Sequence, residues 1–215
     1  MYKYILFDLD GTLTDSAPGI MACIRYACEK MGIECPGDSV LRAFVGPPLM
    51  DMMKKTFSLT DPEAEKMLAF YRERFSTIGL FENSVYPGVG EMLSAVKSSG
   101  KKLALATSKP EVYAVKILEN FSLSGYFDAV TGSELSGAHV EKRDVMALSM
   151  QKLSAKKEET LMVGDRKFDL EAANELGVDA LFVSYGYAEK GEEIPYRPKF
   201  TASSPMEAEK IILSE

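Results

Sequence analysis

Short apolar runs of strand character recur along this chain, each followed by a segment of helical period. That alternation confines it to a parallel sheet covered by helices on both faces. Tyr2 to Asp8, Leu103 to Thr107, Ala129 to Thr131, Thr160 to Val163 and Ala180 to Ser184 read as strands. Between them, Val89, Met92, Leu93 and Val96, then Val112 to Phe121, Val145 to Leu153 and Leu170 to Leu176 follow helical spacing. The expected class is α/β.

One stretch breaks the rhythm. From Ser16 to about Asn83 the chain carries helical patterns and no convincing strand. Ile20, Ile24, Ala27, Cys28 and Met31 share a helical face, and Thr60 with Glu63 forms a capping box ahead of Met67, Leu68, Tyr71 and Phe75. Pro36-Gly37 and Pro47-Pro48 break it internally, and Tyr86-Pro87-Gly88 marks the return to the sheet. The expected organisation is a core of residues 1–15 and 84–215 with a small all-helical insertion at 16–83. Met50, Met52, Met53 and Met67 cluster in the insertion, where helix packing is the expected role and an adaptable binding surface the alternative.

A chain of 215 residues, 46% hydrophobic, can bury one core with a smaller insertion. Its apolar runs are too short for a signal sequence or a bilayer span, so no membrane association and a cytoplasmic location are expected. Cys23, Cys28 and Cys35 are odd in number and lack zinc-ligand spacing, and the single histidine, His139, is far away in sequence. They read as small apolar residues of helical segments. The net charge of −7 argues against a general nucleic-acid surface, which relies on neutralising many phosphates with Lys and Arg.

In parallel sheets, ligands bind beyond the carboxyl ends of the strands. Here those ends carry Asp8-Leu9-Asp10-Gly11-Thr12, Thr107-Ser108-Lys109 and Gly164-Asp165-Arg166-Lys167-Phe168-Asp169, so acids, hydroxyls and bases converge on one rim. Phosphoryl transfer needs an in-line nucleophile, a cation, donors for the phosphoryl oxygens and an acid for the leaving oxygen. A carboxylate can be that nucleophile, and Asp8 and Asp10, one residue apart, can reach one substrate with distinct tasks. Magnesium takes octahedral oxygen ligands and keeps several waters, so two carboxylates, a backbone carbonyl and a phosphate oxygen suffice; Asp8 and Asp165 are the natural pair. Asp169, four residues on, can support the site from the same helical face. Singly, Asp-x-Asp-Gly reads equally well as a turn, and Asp165 with Asp169 as acids favoured at a helix start. Their joint occurrence at separate strand ends favours a site.

These residues resemble the motifs of the haloacid dehalogenase superfamily of phosphatases. Asp8-Leu9-Asp10-Gly11-Thr12 is similar to its first motif, Thr107 in LALATSK to its second, and Asp165 with Asp169 in VGDRKFD to its fourth. The third motif, a basic residue at a helix start, falls on Lys142 or Arg143 in HVEKRDVMAL, with Lys142 preferred by its distance from Val145 and Met146. The resemblance covers essentially the whole chain. It implies a Rossmann-like core with a helical cap inserted after the first strand. It also implies that Asp8 attacks phosphorus, that Asp10 protonates the leaving oxygen and then activates water, and that Thr107 and Lys142 hold phosphate oxygens. Mg2+ would be held by Asp8, Asp165 and the backbone carbonyl of Asp10, with Asp169 in support. Gly11, Thr12, Ser108 and, from the insertion, Gly46 are expected around the substrate.

Within that superfamily, Asp10 disfavours the dehalogenases and phosphonate hydrolases, which replace the second aspartate. Sugar phosphomutases retain it and stay an alternative, although the cap histidine usual near their first motif has no counterpart in Asp15-Ser16-Ala17-Pro18-Gly19. Phe44-Val45-Gly46-Pro47-Pro48-Leu49, Val85-Tyr86-Pro87-Gly88 and Ser184-Tyr185-Gly186-Tyr187 resemble the phosphoglycolate phosphatase and bacterial 5'-nucleotidase branch. The expected partner is a small phosphorylated metabolite, and the expected assembly a monomer or homodimer. A catalytically silent binding module would be expected to have lost a principal motif residue, and none is missing.

Overall fold

The computed structural model describes residues 1–135 and 141–215, and His139 lies outside them. The chain divides into two compact units, one of residues 1–14 and 85–215 and one of residues 15–84. It passes between them at the short strands β2 (Thr14–Asp15) and β3 (Ser84–Val85), after β1 (Tyr4–Phe7) has ended.

The smaller unit is helical: α1 (Ala17–Met31), α2 (Asp38–Arg42), α3 (Leu49–Phe57) and α4 (Asp61–Arg74), then a π-helical turn at Phe75–Gly79. The Thr60 backbone N–H donates to Glu63 Oε2 at 2.9 Å, which caps the start of α4. Within this unit Arg74 holds Glu82 through two contacts of 2.6 and 2.9 Å. Met53 and Met67 are fully buried and Met50 and Met52 half-buried, the pattern of helix packing. Cys23, Cys28 and Cys35 are free thiols, the first two buried.

The larger unit is a six-stranded parallel sheet in the order β5-β4-β1-β6-β7-β8, built from β1, β4 (Lys102–Pro110), β5 (Ala129–Ser133), β6 (Thr160–Gly164), β7 (Asp179–Val183) and β8 (Phe200–Ala202). Helices α5 (Val89–Ser98), α6 (Glu111–Asn120), α7 (Lys142–Leu153), α8 (Lys167–Leu176) and α9 (Pro205–Ser214) accompany it. Because both faces of a parallel sheet are covered, its central strands are unbroken apolar runs rather than alternating ones, and β6 is buried at every position. Leu6, Ala104, Met162, Val145, Met146 and Leu170 form the core on one face, joining sheet to α7 and α8.

Register sets the site. Phe7 at the end of β1 is flanked by Leu105 of β4 and Val163 of β6. The residues just beyond, Asp8, Ala106-Thr107 and Gly164-Asp165, therefore emerge at one level of one sheet edge.

β8 and α9 do not appear in the pattern of the sequence. A three-residue strand is too short to show a period, and it follows the broken stretch from Glu189 to Pro198. Ser204, whose side-chain oxygen accepts the Glu207 N–H at 3.2 Å, opens α9. No helix among the described residues is long and apolar enough to cross a membrane.

Candidate active site

Asp8 follows β1 directly, its N–H donating to the Val163 carbonyl at 3.0 Å. Lys142, the first residue of α7, donates from Nζ to the Ala106 carbonyl at 3.0 Å and so ties the helix start to the end of β4. The same ammonium lies 2.7 Å from Asp8 Oδ1 and 2.8 Å from Asp169 Oδ1, with all three side chains almost wholly buried. Asp169, in the first turn of α8, accepts the Arg166 N–H at 3.0 Å on its other oxygen. Arg143, by contrast, is exposed and stands 3.7 Å from Glu175, away from the acids.

Asp165 begins the loop after β6 and is completely buried. Its Oδ1 accepts the Thr12 hydroxyl at 3.2 Å and its Oδ2 the Tyr187 backbone N–H at 2.7 Å. The loops around it have no room to spare. Gly11 adopts φ +88°, in the left-handed region, and a Cβ there would stand 2.1 Å from Asp165 Oδ2. A Cβ on Gly186 would stand 2.3 Å from the same oxygen and 2.4 Å from the Gly11 carbonyl. The Tyr185 hydroxyl donates to the Thr12 carbonyl at 2.9 Å, fastening the 185–187 segment over the first loop.

Asp8, Asp165 and Asp169 each offer an oxygen within 4.8 Å of the others. Burial pushes the Asp8 carboxyl up to about 6, with Asp169 and Asp10 adding to the rise and Lys142 opposing it. Burial, then Asp169 and Asp8, raise Asp165 well above the carboxylate range. Lys142 is pulled down by burial but held above its ordinary value by Asp169 and Asp8, so it stays an ammonium. Three acids crowded out of water around one ammonium make a site where a bound cation would favour their charged forms, and the donor set, all carboxylate oxygen, suits a hard divalent ion.

Thr107 is buried on β4, its hydroxyl accepting the Lys109 N–H at 3.3 Å. The Ser108 carbonyl accepts the Ser133 hydroxyl at 2.8 Å. Asp10 stands outside the three-carboxylate group. Its Oδ2 is 2.8 Å from Lys109 Nζ. Gly46 lies in the helical unit between α2 and α3, at φ +106°.

Lys109, Gly186 and Tyr187 are functional candidates that the sequence reading leaves without a role. For Lys109 a signal exists, since strand alternation puts residues 107 and 109 on one side of an extended chain. A backbone N–H such as that of Tyr187 carries no mark in the sequence.

The profile of the family described as haloacid dehalogenase-like hydrolase matches residues 5–183. A protein of Pseudomonas aeruginosa named 5'-nucleotidase is 38% identical over 197 residues, covering 92% of this chain and 89% of that one. A Mycobacterium tuberculosis protein named Tyrosine-protein kinase PtkA is 36% identical over 86% of this chain, which spans only 63% of that protein. Among solved structures, that of a predicted phosphatase from Clostridium acetobutylicum superposes with a TM-score of 0.95 at 39% identity, covering all of both chains.

Proposed function

The chain belongs to the haloacid dehalogenase-like hydrolase family and is a phosphatase, and from that premise we propose that it hydrolyses small phosphate monoesters through a phosphoryl group carried on Asp8. The observation that carries this reading is the buried ammonium of Lys142 between Asp8 and Asp169, with Asp165 completing the acids.

In the proposed chemistry an Asp8 oxygen bonds to phosphorus as the ester P–O bond breaks. The departing electron pair stays on the leaving oxygen, which takes the proton of Asp10. Asp10, now a carboxylate, removes a proton from water. That water's oxygen bonds to phosphorus, the bond to Asp8 breaks, and inorganic phosphate leaves with Asp8 restored. Lys142 and Thr107 hold the equatorial phosphoryl oxygens. Asp8, Asp165 and the carbonyl of Asp10 would hold Mg2+, with Asp169 in support; when bound, the ion supplies positive charge against the phosphoryl oxygens. The helical unit is assigned the role of a cap that selects the leaving group.

The substrate class proposed is a nucleoside 5'-monophosphate or phosphoglycolate, on the strength of the 5'-nucleotidase relative and of the Phe44 to Leu49, Val85 to Gly88 and Ser184 to Tyr187 phrases. A cytoplasmic location goes with such a substrate. The test is a screen of nucleoside monophosphates, phosphoglycolate and sugar phosphates at fixed magnesium. Hydrolysis abolished by chelation and by Asp8→Asn supports the reading. Undiminished release with Asp8→Asn, isomerised sugar phosphate in place of inorganic phosphate, or transfer to protein tyrosine without hydrolysis would each sink it.

A further inference from the structure

We propose that Lys109 is a positioning residue for Asp10, fixing which carboxyl oxygen delivers the proton to the leaving group. The proposal rests on the phosphatase reading above and adds to it a residue that the motifs leave without a role.

Lys109 Nζ stands 2.8 Å from Asp10 Oδ2, and the two side chains are only 6% and 11% exposed. The other oxygen, Asp10 Oδ1, is shielded from solvent and has no hydrogen-bond partner among the described residues. The two oxygens of one carboxyl group are therefore unequal. A lysine ammonium has donors only, so the oxygen it faces is the accepting one, and a proton on Asp10 belongs on Oδ1. An unpinned carboxyl group would turn about its terminal bond and present either oxygen, because that torsion is broad.

Lys109 is itself held on a rigid element. Its N–H bonds the Thr107 hydroxyl at 3.3 Å, and the backbone of β5 packs so tightly here that a Cβ on Gly132 would stand 2.5 Å from the Lys109 carbonyl. The phosphate-side hydroxyl of Thr107 and the ammonium that orients Asp10 thus belong to one three-residue piece of strand.

The test is kcat/KM of the full chain with magnesium on p-nitrophenyl phosphate, whose leaving group needs little protonation, and on phenyl phosphate, whose leaving group needs more. Lys109→Met is expected to lose roughly tenfold more on phenyl than on p-nitrophenyl phosphate, within the range general-acid catalysis spans. Lys109→Arg should recover most of that difference. Adding Lys109→Met to Asp10→Asn should cost nothing further, because residues acting as a unit are not additive. Equal losses on both esters, or losses that multiply in the double variant, would overturn the proposal while the phosphatase reading stood. A wild-type protein that cleaves neither ester would overturn that reading itself. Should Lys109→Met fail to fold, judged by its melting curve, Lys109→Gln carries the same comparison.

Discussion

Lys142 Nζ lies 2.7 Å from Asp8 and 2.8 Å from Asp169, so one ammonium at the first turn of α7 holds a carboxylate at the end of β1 and another at the start of α8. The bond from the same nitrogen to the Ala106 carbonyl adds β4 to the group. Four elements are registered at one point.

Replacing Lys142 with Met leaves two buried carboxylates without their cation. The expected cost is about 3–5 kcal/mol of stability, as for other broken buried pairs, together with near-complete loss of hydrolysis. Arg143→Ala, one residue on but exposed, should leave both within about twofold and about 0.5 kcal/mol, the usual range for surface changes. Thermal melts and steady-state assays on the two variants check this directly.

Magnesium should act on folding as well as on turnover. Asp8, Asp165 and Asp169 crowd their oxygens within 4.8 Å, and a cation bound only by the folded chain stabilises it by mass action. The melting temperature at neutral pH is expected to rise with added magnesium and fall with chelator, and Asp165→Asn should remove most of the response. A melting temperature indifferent to magnesium would count against a metal at these residues.

Gly186→Ala puts a methyl group within 2.3 Å of Asp165 Oδ2. Because Asp165 is also held by the Tyr187 N–H at 2.7 Å, neither side can yield without moving an acid of the site. Activity should fall roughly 10- to 100-fold, as when the outer support of a metal ligand is removed. The overpacking should also cost about 1–3 kcal/mol. Gly125→Ala, which would meet nothing within 4 Å, is the control and should melt and turn over like the parent.

Much of this site can be read in the chain because the acids sit where apolar runs stop. Phe7, Leu105 and Val163 share one register, and the sequence after each is polar and ligand-like. What pattern cannot carry is contact made by backbone or by pairing across the fold. Tyr187 supports Asp165 through its main chain, and Lys109 meets Asp10 only because β4 and the first loop lie side by side. Phe200–Ala202 escapes for a different reason, being too brief to show alternation.

Asp128 tests the electrostatics of the core edge. Burial raises its carboxyl, but Lys97 at 2.6 Å, the Leu103 N–H at 3.0 Å and Lys102 at 3.0 Å outweigh that and bring it down to about 2. A folded-state value below the unfolded one stabilises above the unfolded value and is lost as pH falls through the folded one. Asp128→Asn should therefore cost about 1 kcal/mol near neutrality, a figure reduced for the solvent around both lysines. That corresponds to a melting temperature lower by about 2–4 °C for a chain of this size. The difference should shrink below the unfolded value of 3.8 and disappear only once pH falls below the folded value of about 2.

A phosphoryl group carried on Asp8 would be an acyl phosphate, which can be trapped chemically. The wild-type protein, quenched while turning over p-nitrophenyl phosphate and then reduced with borohydride, should yield a peptide in which Asp8 has become homoserine, the product of a reduced acyl phosphate. An unmodified Asp8 in protein that was releasing phosphate at full rate, with a control acyl phosphate reduced under the same conditions, would rule out Asp8 as the phosphoryl carrier.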